Sequence, residues 1–98
     1  MAKIEEKYEL MYILDPNLGE EGIAAAVEKF KVLIEQNGTL DEMDEIGKRR
    51  LAYEINYISE GFYVLVKYTS TPDFPKELER VLGITDGVLR WLTTLRVG

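Results

Sequence analysis

Cysteine and histidine are both absent from this chain. Without cysteine, disulfide bonds and thiolate metal sites are excluded, and the cytoplasm is the expected compartment. Without histidine, the chain lacks the usual general base, the usual nitrogen ligand for metals and the side chain that titrates near neutral pH. A glycine loop that could cradle phosphate and a nucleophile beside a base are also missing. We therefore assign no catalytic residue and no cofactor, and predict that the protein is not an enzyme.

Long hydrophobic segments are absent as well. No apolar run approaches the roughly 20 residues of a membrane span, and residues 1–7 lack the apolar region of a secretory signal. A composition of 46% hydrophobic and 31% charged residues is typical of a globular chain. The 98 residues suffice for one hydrophobic core and contain neither a repeat nor a linker. We expect a single domain covering residues 1–98.

Basic side chains are scarce, with 12 Lys and Arg against 18 Asp and Glu, for a net charge of −6. Three of the cations are nevertheless consecutive: Lys48, Arg49 and Arg50. Because like charges repel, such a cluster often indicates an anionic partner, most commonly phosphate. The alternative is a solvated strand end, where cations blunt an exposed sheet edge. Gly47 favours a bulge just before the cluster, and Leu51 and Ile55 are predicted to anchor it to a core.

Hydrophobic periodicity predicts four strands and two helices. The predicted strands cover residues 7–14, 39–53, 61–69 and 88–97. The predicted helices cover residues 20–37 and 74–82, the second ended by Gly83. Residues 39–53 are ambiguous, because Leu40, Met43 and Ile46 have helical spacing. Glycines on both sides leave too little room for a stable helix, so we predict a long strand interrupted by a bulge.

The predicted order β-α-β-β-α-β is that of the α+β, ferredoxin-like plan. In this plan two helices cover one face of a four-stranded antiparallel sheet and leave the other face open. By alternation, the open face should carry large apolar side chains from the first and third strands: Met11, Ile13, Tyr63 and Leu65. An apolar patch of this kind often marks a binding surface, although scattered apolar surface is ordinary. We predict that these residues contact a protein partner.

Residues 47–55 read Gly-x-(Lys/Arg)-Arg-Leu-Ala-Tyr-x-Ile. This string closely resembles the signature of the bacterial small-subunit ribosomal protein six family. Residues 8–18, 61–63 and 86–90 are similar to other strands of that family, so the resemblance covers nearly all of residues 4–97. It implies a structural protein of the cytoplasmic ribosome, docked on the central domain of 16S ribosomal RNA. It also implies a partner, small-subunit ribosomal protein eighteen, which is a short basic chain.

The resemblance also implies which cations contact RNA. The primary candidates are Lys48, Arg49 and Arg50 within the signature. Arg90 matches the family's arginine on the fourth strand, and Lys3 corresponds to its basic N-terminus. An acidic domain with an apolar open sheet suits a basic protein partner, while a few cations contact RNA phosphates. Family members commonly carry a tail after the last strand; this chain stops at Gly98, so no contact made by a tail is carried over.

The residues also allow two alternative functions. Residues 60–68 superficially resemble the third strand of RNA-recognition modules, whose exposed aromatics stack on single-stranded bases. Glu60 stands where that motif has a cation, however, and the stacking positions would be Phe62 and Val64, which we expect beneath the helices. A net charge of −6 also disfavours a generic single-strand binder.

The second alternative is a small metabolic enzyme or metal chaperone on the same plan, with a metal site on the acidic pairs at residues 41–42 and 44–45. Carboxylates are suitable ligands for hard cations. Neighbouring side chains on a strand point to opposite faces, however, so these carboxylates should not converge. We interpret them as solvated charges at a sheet edge.

Overall fold

The computed structural model describes residues 5–55 and 58–96. Its elements, in chain order, are β1 (Glu6–Leu14), a 3-10 turn (Pro16–Leu18), α1 (Gly19–Asn37), β2 (Gly38–Ile55), β3 (Ile58–Ser70), α2 (Phe74–Ile84) and β4 (Val88–Leu95). This order confirms the predicted βαββαβ plan. The predicted end of the last strand at residue 97 lies outside the described residues. None of the helices in the described part of the chain is long and apolar enough to cross a membrane.

The four strands form one antiparallel sheet in the order β2-β3-β1-β4. Both helices pack on the same face, which confirms the predicted ferredoxin-like fold. The core between sheet and helices contains fully buried side chains from β1, β3 and both helices: Leu10, Tyr12, Leu14, Val64, Val66, Tyr68, Phe30, Ile34, Leu78 and Leu82. Burying each aliphatic or phenyl side chain of this set contributes about 1.5–3 kcal/mol.

Helix α1 follows from the apolar stripe in its sequence. Val27, Phe30 and Ile34 recur at helical spacing and are buried against the sheet, as predicted. The Phe30 ring meets the Tyr12 ring edge to face, with centroids 5.2 Å apart, a favourable arrangement for two aromatic rings. The stripe therefore fixes which face of the sheet becomes the core.

Helix α2 ends two residues later than expected. Gly83 was predicted to end it, but the helix continues to Ile84. The described glycines with positive φ are Gly19, Gly47 and Gly87, so Gly83 does not make the left-handed turn that ends many helices. The chain leaves the helix at Thr85, where the backbone becomes extended with φ −92° and ψ 123°.

Strand β2 is long and irregular, as predicted. Its register against β3 slips between Leu40 and Glu42 and again between Glu45 and Gly47. Gly47 has φ +103°, a conformation that glycine adopts without a steric penalty. Beyond Lys48 and Phe62, strands β2 and β3 pair only with each other, because β1 ends opposite Phe62. We call this two-stranded extension, residues 49–55 and 58–61, the arm.

Candidate functional site

The sheet face opposite the helices, here called the open face, brings together the residues predicted to contact a protein. Ile13 pairs with Tyr63 and Met11 pairs with Leu65, in two adjacent rows of the sheet. On the other side of β1, Leu92 of β4 pairs with Met11 and is 57% exposed. We call Met11, Tyr63, Leu65 and Leu92 the apolar patch. Its role in partner binding stays a prediction.

Ile13 differs from its neighbours in the amount of surface that it offers. It is only 6% exposed, because the first residues of the arm cover it. A Cβ atom on Gly61 would lie 2.2 Å from Ile13 Cγ2 and 3.2 Å from Leu51 Cδ2. Ile13 was expected to be an exposed contact, and the structure corrects this: it supports the patch from beneath.

Leu51 anchors the signature, although on a different face from the main core. It is 8% exposed and packs at the open face beside Ile13 and Gly61. Ile55, predicted as a second anchor, is only half-buried. A small second cluster of apolar side chains therefore attaches the arm to the sheet.

The three consecutive cations do not point the same way. Lys48 pairs with Phe62 and Arg50 pairs with Glu60, so both lie on the helix side of the sheet. Arg49 pairs with Gly61, which belongs to the row of the open face. All three side chains are exposed. The sequence prediction treated them as one cluster, and the structure corrects this, because successive side chains of a strand alternate between faces.

Arg90 joins Arg49 at the same end of the open face. Its register partner on β1 is Ile13, and its guanidinium donates a hydrogen bond to the hydroxyl of Tyr53. Sequence reasoning did not propose Tyr53 as a functional residue, although Arg49, Leu51 and Tyr53 share one face by alternation. Lys3, the remaining predicted RNA contact, lies outside the described residues.

Charged pairs occupy the other end of the sheet. Lys67 Nζ lies 3.3 Å from Glu42 Oε2. Asp41 Oδ2 accepts hydrogen bonds from Thr69 Oγ1 at 2.7 Å and from Arg96 Nη2 at 2.6 Å. These two bonds, the Thr69 bond first, hold the pKa of the Asp41 carboxyl below its ordinary value. Within the described residues no three acidic side chains converge on a possible metal position.

The comparison with known proteins decides the family. A sequence profile described as Ribosomal protein S6 matches residues 7–94. The chain belongs to the ribosomal protein S6 family. Small ribosomal subunit protein bS6 of Clostridium perfringens strain SM101 is 53% identical over 85 residues, which cover 86% of this chain and 90% of that protein. The bS6 protein of Clostridium botulinum strain Hall is 54% identical over 85 residues, with the same coverage.

The fold of this S6-family chain agrees with a solved structure. The crystal structure of 30S ribosomal protein S6 from Thermotoga maritima matches it with a TM-score of 0.89 at 35% identity, covering 95% of this chain and 89% of that one. Membership of the S6 family makes the chain a non-enzymatic structural protein of the small subunit of the cytoplasmic ribosome.

The burial of the two side chains at the stacking positions excludes the RNA-recognition-module alternative. Val64 is fully buried beneath the helices, and Phe62 packs partly buried against the same core. Neither side chain can stack on a nucleobase on the open face, where that mode of binding takes place. The resemblance of residues 60–68 to that motif is therefore superficial.

Proposed function

We propose that this S6-family protein binds the central domain of 16S ribosomal RNA jointly with small-subunit ribosomal protein eighteen, a short basic chain. The observation that carries the proposal is the open face. There an apolar patch and two arginines lie side by side on a protein whose net charge is −6. Such a surface suits a protein partner more than it suits RNA alone.

The apolar patch supports the protein half of this proposal. Leu92 is 57% exposed, and the patch residues Met11, Tyr63 and Leu65 are half-buried rather than covered. Contiguous apolar surface of this kind commonly marks a site that a partner covers. The acidic balance of the rest of the chain favours a basic partner, because complementary charge steers association and disfavours wrong partners.

The scarcity of cations supports the second part of the proposal, that this chain binds RNA jointly with its partner. A chain with net charge −6 is repelled by a polyanion at long range. The few exposed cations of the signature can position RNA phosphates, but they oppose that repulsion only locally. A basic partner would neutralise acidic surface and contribute further phosphate contacts, so the two chains would bind RNA as one surface.

Size-exclusion chromatography of the two purified proteins tests the pairing without RNA. We expect the basic partner to co-elute with this chain at low micromolar concentration, and the complex to withstand moderate salt because its centre is apolar. Two separate peaks at all concentrations, with RNA absent or present, would contradict the pairing.

A further inference from the structure

We propose that Lys48 and Arg50, with Asn17, form a binding site for the phosphodiester backbone on the helix side of the sheet, separate from the open face. This inference rests on the proposed function and deepens it, since it states which side of the molecule meets RNA. Arg49 and Arg90 are then assigned to the surface that meets the protein partner.

The first step is the division of the cations by register. Lys48 lies opposite Phe62, whose side chain packs toward the helix-side core. Arg50 is two residues further along the strand, opposite Glu60, and therefore lies on the same side. Both cations are exposed, and within residues 5–55 and 58–96 neither side chain makes an ion pair or a hydrogen bond.

The second step is the groove beside them. A shallow groove of about 330 Å³ lies between the 3-10 turn and the base of the arm, lined by Pro16, Asn17, Lys48, Ile58, Ser59 and Glu60. We call it the helix-side groove. The turn is held in place by Asp15, whose Oδ1 accepts a hydrogen bond from the backbone N–H of Asn17 at 2.9 Å. The Asn17 side-chain amide makes no hydrogen bond within the described residues.

The third step is the chemistry of this set. Phosphate oxygens accept hydrogen bonds from lysine and arginine and also from neutral amide and hydroxyl donors. The helix-side groove combines the Lys48 ammonium with one such neutral donor, the Asn17 amide, and Arg50 extends the charge along the arm. A phosphodiester backbone, whose charges are spaced along a chain, is the ligand class that fits this linear arrangement.

The open-face arginines have different surroundings. Arg49 Nη1 donates to the carbonyl oxygen of Lys48 at 3.1 Å, and Arg90 donates to the Tyr53 hydroxyl. Arg90 also lines, with Met11 and Leu92, a recess of about 360 Å³ whose walls are mainly apolar. The contacts of Arg90 place its guanidinium beside apolar surface, and arginine is enriched in protein–protein interfaces.

The carboxylate of Glu60 opposes phosphate binding and therefore provides a direct test of the site. Glu60 lines the helix-side groove and would repel a phosphate bound there. Glu60→Gln should therefore strengthen RNA binding by the protein pair. Glu35→Gln is the matched control, because it makes the same change of charge at the far end of α1, more than 20 Å from the turn at about 1.5 Å of rise per residue.

The decisive experiment compares two double variants, each saturated with the basic partner and titrated against central-domain RNA over a range of salt. Lys48→Ala/Arg50→Ala should flatten the logarithmic salt slope by about 1–2, since each lost phosphate contact contributes slightly less than one. It should still bind the partner. Arg49→Ala/Arg90→Ala should weaken partner binding at least tenfold and, once saturated with partner, keep the salt slope of the unaltered pair.

Failure of this inference is distinguishable from failure of the proposed function. If the unaltered pair does not bind central-domain RNA, the proposed function itself is overturned. If the pair binds but Arg49→Ala/Arg90→Ala flattens the salt slope and Lys48→Ala/Arg50→Ala does not, RNA lies on the open face and the helix-side site is overturned. An equal effect of Glu60→Gln and Glu35→Gln would also contradict a local phosphate site.

Discussion

Arg90 of β4 donates a hydrogen bond to the hydroxyl of Tyr53 in β2, although these strands form opposite edges of the sheet. The guanidinium carbon lies 5.1 Å from the centre of the Tyr53 ring, within range of a cation–π contact. Strands β3 and β1 separate the two residues, so the arm has to bend across the open face for them to meet. The arm therefore forms one wall of the surface that we propose for the protein partner.

This geometry makes Tyr63 the central test of the partner surface. Tyr63 is the residue of the apolar patch next to the arm, and it lines two recesses of the open face, one shared with Met11 and Leu92 and one with Leu51 and Tyr53. We expect Tyr63→Ala to weaken partner binding by about 2 kcal/mol or more, as is common for interface aromatics, while the protein stays folded. Isothermal titration with the basic partner measures the loss.

Val32→Ala is a suitable control for Tyr63→Ala. Val32 is an apolar residue of α1, 39% exposed, on the helix layer rather than the open face, and its truncation should leave partner affinity unchanged. If Tyr63→Ala binds the partner with normal affinity, the open face is not the surface that binds the partner.

Within the signature, Leu51 should contribute to the stability of the fold, whereas Arg49 should not. Leu51 is 8% exposed, so Leu51→Ala should lower the free energy of unfolding by about 2–5 kcal/mol through lost burial and a cavity. Arg49 is exposed, and Arg49→Ala should change stability by less than about 1 kcal/mol. Urea unfolding of the two variants gives both values. A strongly destabilised Arg49→Ala would indicate a structural role for that cation.

Replacing Gly61 by any larger residue is expected to destabilise the protein for a steric reason. Its added Cβ would overlap Ile13 Cγ2, at 2.2 Å, and overpacking of this kind typically costs about 1–3 kcal/mol. Gly47→Ala is the matched control, because its Cβ meets nothing within 4 Å and is disfavoured only by φ +103°. Ile13→Ala combined with Gly61→Ala should cost less than the sum of the single changes. Full additivity in thermal melts would contradict the proposed contact.

Asp41 should contribute to the loss of stability in acid. Hydrogen bonds from Thr69 and Arg96 lower the pKa of its carboxyl in the folded protein below the ordinary value of 3.8. Its contribution is therefore complete above that ordinary value and is lost as the pH falls through the lower, folded value. Because the site is partly exposed, we expect less than about 1 kcal/mol. Below pH 4, the unfolding free energy of Asp41→Asn should fall less steeply with pH than that of the unaltered protein. The same pH dependence in both proteins would refute this.

Much of the fold follows from local pattern. The alternation in β1 and β3 predicts the core face through Leu10 and Val66 and the open face through Met11 and Leu65. Gly47 predicts the bulge because few other residues adopt its backbone conformation. The division of the cations also follows from alternation, but it depends on the pairing of Arg49 with Gly61 rather than on charge, and charge alone suggested one cluster.

The arm is the part that local pattern does not specify. The contact between Tyr53 and Arg90 joins residues 37 positions apart, and it depends on how far two paired strands bend beyond the third. The burial of Ile13 has the same origin, because Leu51 covers it only when the arm bends. Such features depend on tertiary packing, which a hydrophobic pattern alone does not encode.

Titration of fluorescent central-domain RNA, first with this protein alone and then with the pair, tests the central claim most directly. At physiological salt we expect the single chain to bind weakly, in or above the micromolar range of non-specific association, because its net charge of −6 opposes a polyanion. The pair should bind tightly and at one site, with a steeper salt slope. Nanomolar, site-specific binding by the single chain would contradict joint recognition.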